Sequence, residues 1–160
     1  LHAVRDWHPE PTGVETITIE PTFFWCRRRF DPPTKPLLLR LESPANIAAG
    51  ETVWGIGPEL ADVVGERLPG AVFATASDLA GVATAVTAHP DRTVVVQGRD
   101  LARVPFLTEA TRRVREHAAD VLVIEEGWHD PDDPLADIAT YGSGRGTMLS
   151  VLKLLAEGHR

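Results

Sequence analysis

A single cysteine, Cys26, among 160 residues excludes an internal disulfide, so the fold must stand on packing alone. No apolar run approaches the roughly 20 residues that cross a bilayer, and no signal-peptide pattern opens the chain. Positive charge is also scarce. Sixteen Lys and Arg against 23 Asp and Glu give a formal net charge of -7, and the one basic cluster, Arg27-Arg28-Arg29, is only three long. Nucleic-acid binding draws on clustered cations that release counterions, so this balance argues against it. Gly142-x-Gly144-x-Gly146 lacks the Gly-Lys-Ser/Thr of a phosphate loop, and it enters the last helix, whereas a dinucleotide fingerprint belongs to the first βα unit. His2, His8, His89, His117, His129 and His159 are scattered as surface or loop residues, with no Ser-His-Asp or Cys-His arrangement, and no cofactor is implied. Methionine is nearly absent too: Met148 is the only one, and the chain starts at Leu1, as expected of a fragment or processed product, which leaves the compartment and the oligomeric state open.

What is present is an ordinary globular composition, 43% hydrophobic and 24% charged, long enough for one domain with a real core. Residues 1–36 differ from the rest: Pro9, Pro11, Pro21, Pro32, Pro33 and Pro36 interrupt them, with Pro44 just beyond. Val14 to Ile19 alternates with period two. An N-terminal arm with one short edge strand is expected, pinned by Trp7, Phe23, Phe24 and Trp25, or exposing those aromatics toward a neighbouring domain.

From residue 37 to 160 the pattern predicts a single α/β domain. Leu37 to Leu41 reads as a buried strand. Pro58 opens a helix with Leu60, Val63, Val64 and Leu68 inward, stopped by Pro69-Gly70. Strand Ala71 to Ala76, a helix on Leu79, Val82, Ala83 and Val86, and strand Thr93 to Val96 follow. A helix over 105–118 places Phe106, Ala110, Val114 and Ala118 on one face. Val121 to Ile124 and Asp137 to Tyr141 are the last strands, and Met148, Val151, Leu152 and Leu155 face inward from a final helix. Alternation of this size predicts a three-layer sandwich, a mostly parallel sheet with helices on both faces, whose site lies at the carboxyl edge of the strands.

Five loops at that edge carry candidate chemistry. Ser43 to Gly50, with Asn46, and then Trp54 exceed a tight βα turn: a binding loop, or a structured loop capped by Asn46 and packed under Trp54. Asp78 or Ser77 suits a helix cap, while a carboxylate at a strand end also has the chemistry of a glycosidase nucleophile. Gly98-Arg99-Asp100 offers opposite charges for local backbone or for an anion or sugar hydroxyl. The acidic loop Glu125-Glu126-Gly127-Trp128-His129-Asp130-Pro131-Asp132-Asp133 reads as a solvated turn, with carbohydrate contact through Trp128 and Glu125 as the sharper alternative. His129, Asp130, Asp132 and Asp133 also have the chemistry to hold a hard cation, but the loop meets no standard metal spacing, so no metal is expected. The glycine-rich entry to the last helix, with Arg145, is a tight turn capped by Ser143 or an anion site.

Val121-Leu122-Val123-Ile124-Glu125-Glu126-Gly127-Trp128, followed by Asp137-Ile138-Ala139-Thr140-Tyr141-Gly142-Ser143-Gly144-Arg145, resembles the C-terminal domain of actinobacterial family 3 glycoside hydrolases of the β-N-acetylhexosaminidase type. Pro44-Ala45-Asn46-Ile47-Ala48 with Gly50 and Val53-Trp54-Gly55 is similar to that family's "Pro-x-Asn-Ile-Ala-x-Gly" loop, and Val94-Val95-Val96 with Arg99-Asp100 to its "Val-Val-Arg-Asp" strand end. Where the family has histidine after Arg-Asp, this chain has Leu101. The resemblance covers about residues 37–158. It implies an accessory domain, noncatalytic alone, that partners an N-terminal (β/α)8 barrel and supports a carbohydrate site. The barrel's "Lys-His-Phe-Pro-Gly" segment has no counterpart here, so no catalytic residue is assigned. The competing expectations are a stand-alone module for a sugar or anion, with Asn46, Trp54, Asp78, Arg99, Asp100, Glu125, Trp128 and Arg145 in one neighbourhood, and a small hydrolase using Asp78 with Glu125 or Glu126.

Overall fold

The computed structural model describes residues 25–43, 54–130, 132 and 134–160, and the side chain of Trp25 is outside that description. The elements in chain order are β1 (Trp25–Cys26), β2 (Leu37–Leu41), a 3-10 turn (Pro58–Leu60) running into α1 (Ala61–Arg67), β3 (Val72–Ala76), α2 (Leu79–Thr87), β4 (Val94–Gly98), α3 (Pro105–His117), β5 (Val121–Glu125), β6 (Ile138–Ala139) and α4 (Arg145–Glu157). They form one sheet in the order β1-β6-β5-β4-β2-β3. Five strands are parallel, in register as Leu38 with Phe73 and Val95, Val95 with Leu122, and Ile124 with Ile138. Only β1 runs antiparallel, pairing Trp25 with Ala139 at one edge. The α/β sandwich expected from the alternation is present.

Strand alternation divides the core into two layers. Leu37, Leu39, Leu41, Val94, Val96, Val121 and Val123 pack with Val82 of α2 and Leu107, Ala110 and Val114 of α3. The intervening Leu38, Val95, Leu122 and Ile124 meet Leu60, Val64 and Leu68 around α1 and Met148, Val151, Leu152 and Leu155 of α4. Burying a branched aliphatic side chain yields about 1.5–3 kcal/mol, so double-faced burial of the central strands is the main stabilising contribution. β3, at the opposite edge, is only half-buried along most of its length.

Three local expectations need correction. Leu107, which the expected face of α3 leaves out, is its most deeply buried early residue, while Phe106 and Ala118 pack part-buried against the same layer: Pro105 sets the helix start, and Leu107, Ala110, Thr111 and Val114 then recur at helical spacing toward the sheet. β6 is two residues long, because Tyr141 adopts φ +52 and leaves the extended conformation. The acidic segment after β5 is not a solvated turn at its start: Glu125, Glu126 and His129 are all buried.

Of the N-terminal segment, residues 25–36 add β1 to the sheet edge and insert Phe30 into the α1/α4 layer, where it also bridges to His159. Val14 to Ile19 and the aromatics Trp7, Phe23 and Phe24 lie outside the described residues. So does Asn46.

Candidate functional site

The strand order sets the place. From β2 the chain moves outward to β3, returns past β2 to β4, and continues to β5 and β6. The connection leaving β2 therefore joins the α1 layer, while the connection leaving β4 joins the α3 layer. The loops diverge above the carboxyl ends of β2 and β4, which is the switch point where open α/β sheets form ligand crevices.

Arg40, near the end of β2, is held in three ways. Its Nη1 donates to the Trp54 carbonyl at 3.0 Å, its Nη2 pairs with Glu42 at 3.1 Å, and its guanidinium lies 5.4 Å from the Trp54 ring centroid. Arg99, leaving β4, lies on the same ring at 4.6 Å. Trp54 is thus buried among cations as a platform, to which each guanidinium is attracted by the ring's quadrupole. Gln97, fully buried in β4, accepts from the Ile56 N–H at 2.6 Å and donates to the Ile56 carbonyl at 3.1 Å, fastening the segment after Trp54 to the strand.

Gly55 makes this approach possible. Its φ is +71, and a Cβ there would lie 3.1 Å from Gln97 Oε1 and 3.2 Å from Glu126 Oε2. Both the left-handed backbone and the missing side chain are needed. Its N–H donates to the Ser143 carbonyl at 3.4 Å, which brings the entry to α4, with Arg145, to the same edge.

The two adjacent glutamates after β5 have opposite surroundings. Glu125 accepts backbone N–H groups from Asp100 (2.8 Å), Leu101 (2.7 Å) and Gly127 (2.6 Å). Burial pushes its carboxyl above the ordinary value, while these three donors pull the other way. Asp100 adopts φ +62, a turn that aims its N–H at Glu125. Glu126, by contrast, is 1% exposed, and neither carboxyl oxygen has a hydrogen-bond partner among the described residues. Loss of hydration pushes its pKa up to about 8, against the attraction of Arg99 and Arg40 and with some help from repulsion by Glu125. It is accordingly a neutral acid near pH 7. The Arg40 Nε is likewise buried without a partner among the described residues.

Of the sequence candidates, Trp54, Arg99, Asp100 and Glu125 meet at this edge, and Arg145 begins the helix whose entry touches it. Asp78 is engaged elsewhere, capping α2 from the end of edge strand β3 by accepting the Gly81 N–H at 2.7 Å. Trp128 follows Gly127 and is 68% exposed, with Tyr141 also exposed and stacked edge-on against His129. Arg40 and Gln97 belong to the site although pattern reading passes over them. A polar residue inside a buried strand was their available signal.

No described protein family, curated protein or solved structure matches the chain. Among the described residues, no group of three or more His, Cys, Asp or Glu is placed to hold a metal, and no helix is long and apolar enough to cross a membrane.

Proposed function

We propose that this chain is a noncatalytic accessory α/β domain, of the kind found at the C-terminus of family 3 β-N-acetylhexosaminidase-type glycoside hydrolases, whose strand carboxyl edge faces a carbohydrate site or its partner barrel. One observation carries the reading. The four separate segments that bear the family resemblance converge: Trp54 lies under Arg99, the Asp100 N–H donates to Glu125, and the Gly55 N–H donates to the Ser143 carbonyl. Their chemistry favours support over turnover. A retaining glycosidase uses two carboxyl groups about 5 Å apart, one as nucleophile and one as acid. Here Asp78 is spent on a helix cap and Glu125 on three backbone donors. Glu126 is left without an available partner carboxylate.

A chromogenic N-acetylglucosaminide assay on the isolated chain tests this, with no turnover above blank expected. Turnover that disappears in Glu125→Gln or Glu126→Gln would replace the accessory reading with the small-hydrolase one.

A further inference from the structure

The arginines at the switch-point edge are unequally engaged. Arg40 is paired with Glu42, but Arg99 lies on Trp54 with no ion pair among the described residues. Arg145 opens α4, whose first turn contains no acidic residue and whose Gly144 cap supplies no side-chain acceptor. A helix start alone binds nothing in particular; what marks a ligand here is Glu126, deeply buried with both oxygens unpartnered, packed against the same Gly55 that touches the α4 entry. Buried polar groups without partners are rare, and each one calls for a physical reason.

We propose that this edge binds a small oxyanion, a carboxylate or phosphate-type group, held by the Arg99 guanidinium and the first N–H groups of α4, with the Glu126 carboxyl group donating a hydrogen bond. A protonated carboxyl is both neutral and a donor, so it completes an anion site that an ionised one would spoil. The charged groups that act on Glu126 are Arg99 from the loop after β4, Glu125 beside it and Arg40 from β2. With its pKa near 8, Glu126 supplies a proton at neutral pH and a repelling charge in alkali. The proposal goes beyond the accessory-domain reading and rests only on the edge that reading also uses.

Sulfate and glucuronate are suitable probes, since neither changes charge between neutral and mildly alkaline pH. Titrated into the 160-residue chain at millimolar concentration, both are expected to shift the amides of Gly55, Ile56 and Gly146 saturably, and sulfate alone would point to a phosphate-type ligand. Affinity should fall by about tenfold between roughly pH 6.5 and pH 9 as Glu126 ionises. Arg99→Met should abolish the response. Glu126→Gln, which keeps a donor without a titrating proton, should bind at both pH values alike. The proposal is overturned if neither anion shifts these amides, if Arg99→Met binds normally, if Glu126→Gln keeps the alkaline loss, or if neutral N-acetylglucosamine alone responds. The turnover assay above is independent of all four outcomes.

Discussion

Two acids in this molecule are almost equally buried and are treated in opposite ways. Asp137, at the amino end of β6, is 3% exposed and fully engaged: it accepts from Arg28 Nε at 3.1 Å, Arg115 Nη2 at 2.8 Å and the Val123 N–H at 2.9 Å. Arg28 also donates to the Val121 carbonyl, so this network stitches the N-terminal segment, α3 and two strands together. Glu126, at the carboxyl edge, has two arginines within its field and hydrogen bonds to neither. The first arrangement engages both oxygens of its buried carboxylate and reads as structure. The second leaves a costly group unsatisfied at the switch-point edge, which is the observation behind the proposed anion site.

The comparison breaks most sharply at Asp137. Asp137→Asn removes the charge that both arginines share, and losing one partner of a buried ion pair typically costs about 3–5 kcal/mol. Because Arg28 and Arg115 are 41% and 31% exposed on their side chains, the lower end is expected, about 3 kcal/mol by denaturant unfolding. A loss no larger than that of an ordinary surface change would mean the network is ornamental.

Glu126 sets an effect of opposite sign, spread over several pH units. Between the ordinary glutamate value and about 8, the native state holds a proton that the unfolded chain has released. Stability therefore falls as pH rises through that window and levels off above it, by about 1.4 kcal/mol per pH unit and a few kcal/mol in total. Glu126→Gln lacks this titration, so its stability relative to the native chain should increase from pH 5 to pH 8. A difference that stays flat across that range would show Glu126 ionised throughout, and would erase the contrast with Asp137.

The smallest effect sharpens the boundary of the site. Asp78→Ala removes only the cap of α2 and should cost about 1 kcal/mol, with no change in any response of Gly55 or Ile56 to anions. An altered anion response would bring Asp78 into the site that its placement now excludes.

Periodicity alone determined the element order from residue 37 onward, the double-faced burial of Leu37–Leu41, Val94–Gly98 and Val121–Glu125, and the inward face of the last helix, because each depends on side chains near in sequence; it did not find the edge strand Trp25–Cys26. It missed Leu107 by one position, since helix phase turns on where the first turn is pinned. It pointed to the carboxyl edge and to Trp54, Arg99, Asp100 and Glu125 there, from their positions after buried strands. Only the tertiary structure decided which strands are neighbours, and so that Arg40 and Gln97 join a site with Glu126. It also decided the separate fates of Glu125 and Glu126, which are adjacent and chemically identical in the chain. The difference between them is made by backbone N–H groups that β4 brings from 25 and 24 residues away, and no local pattern encodes which of the two will receive them.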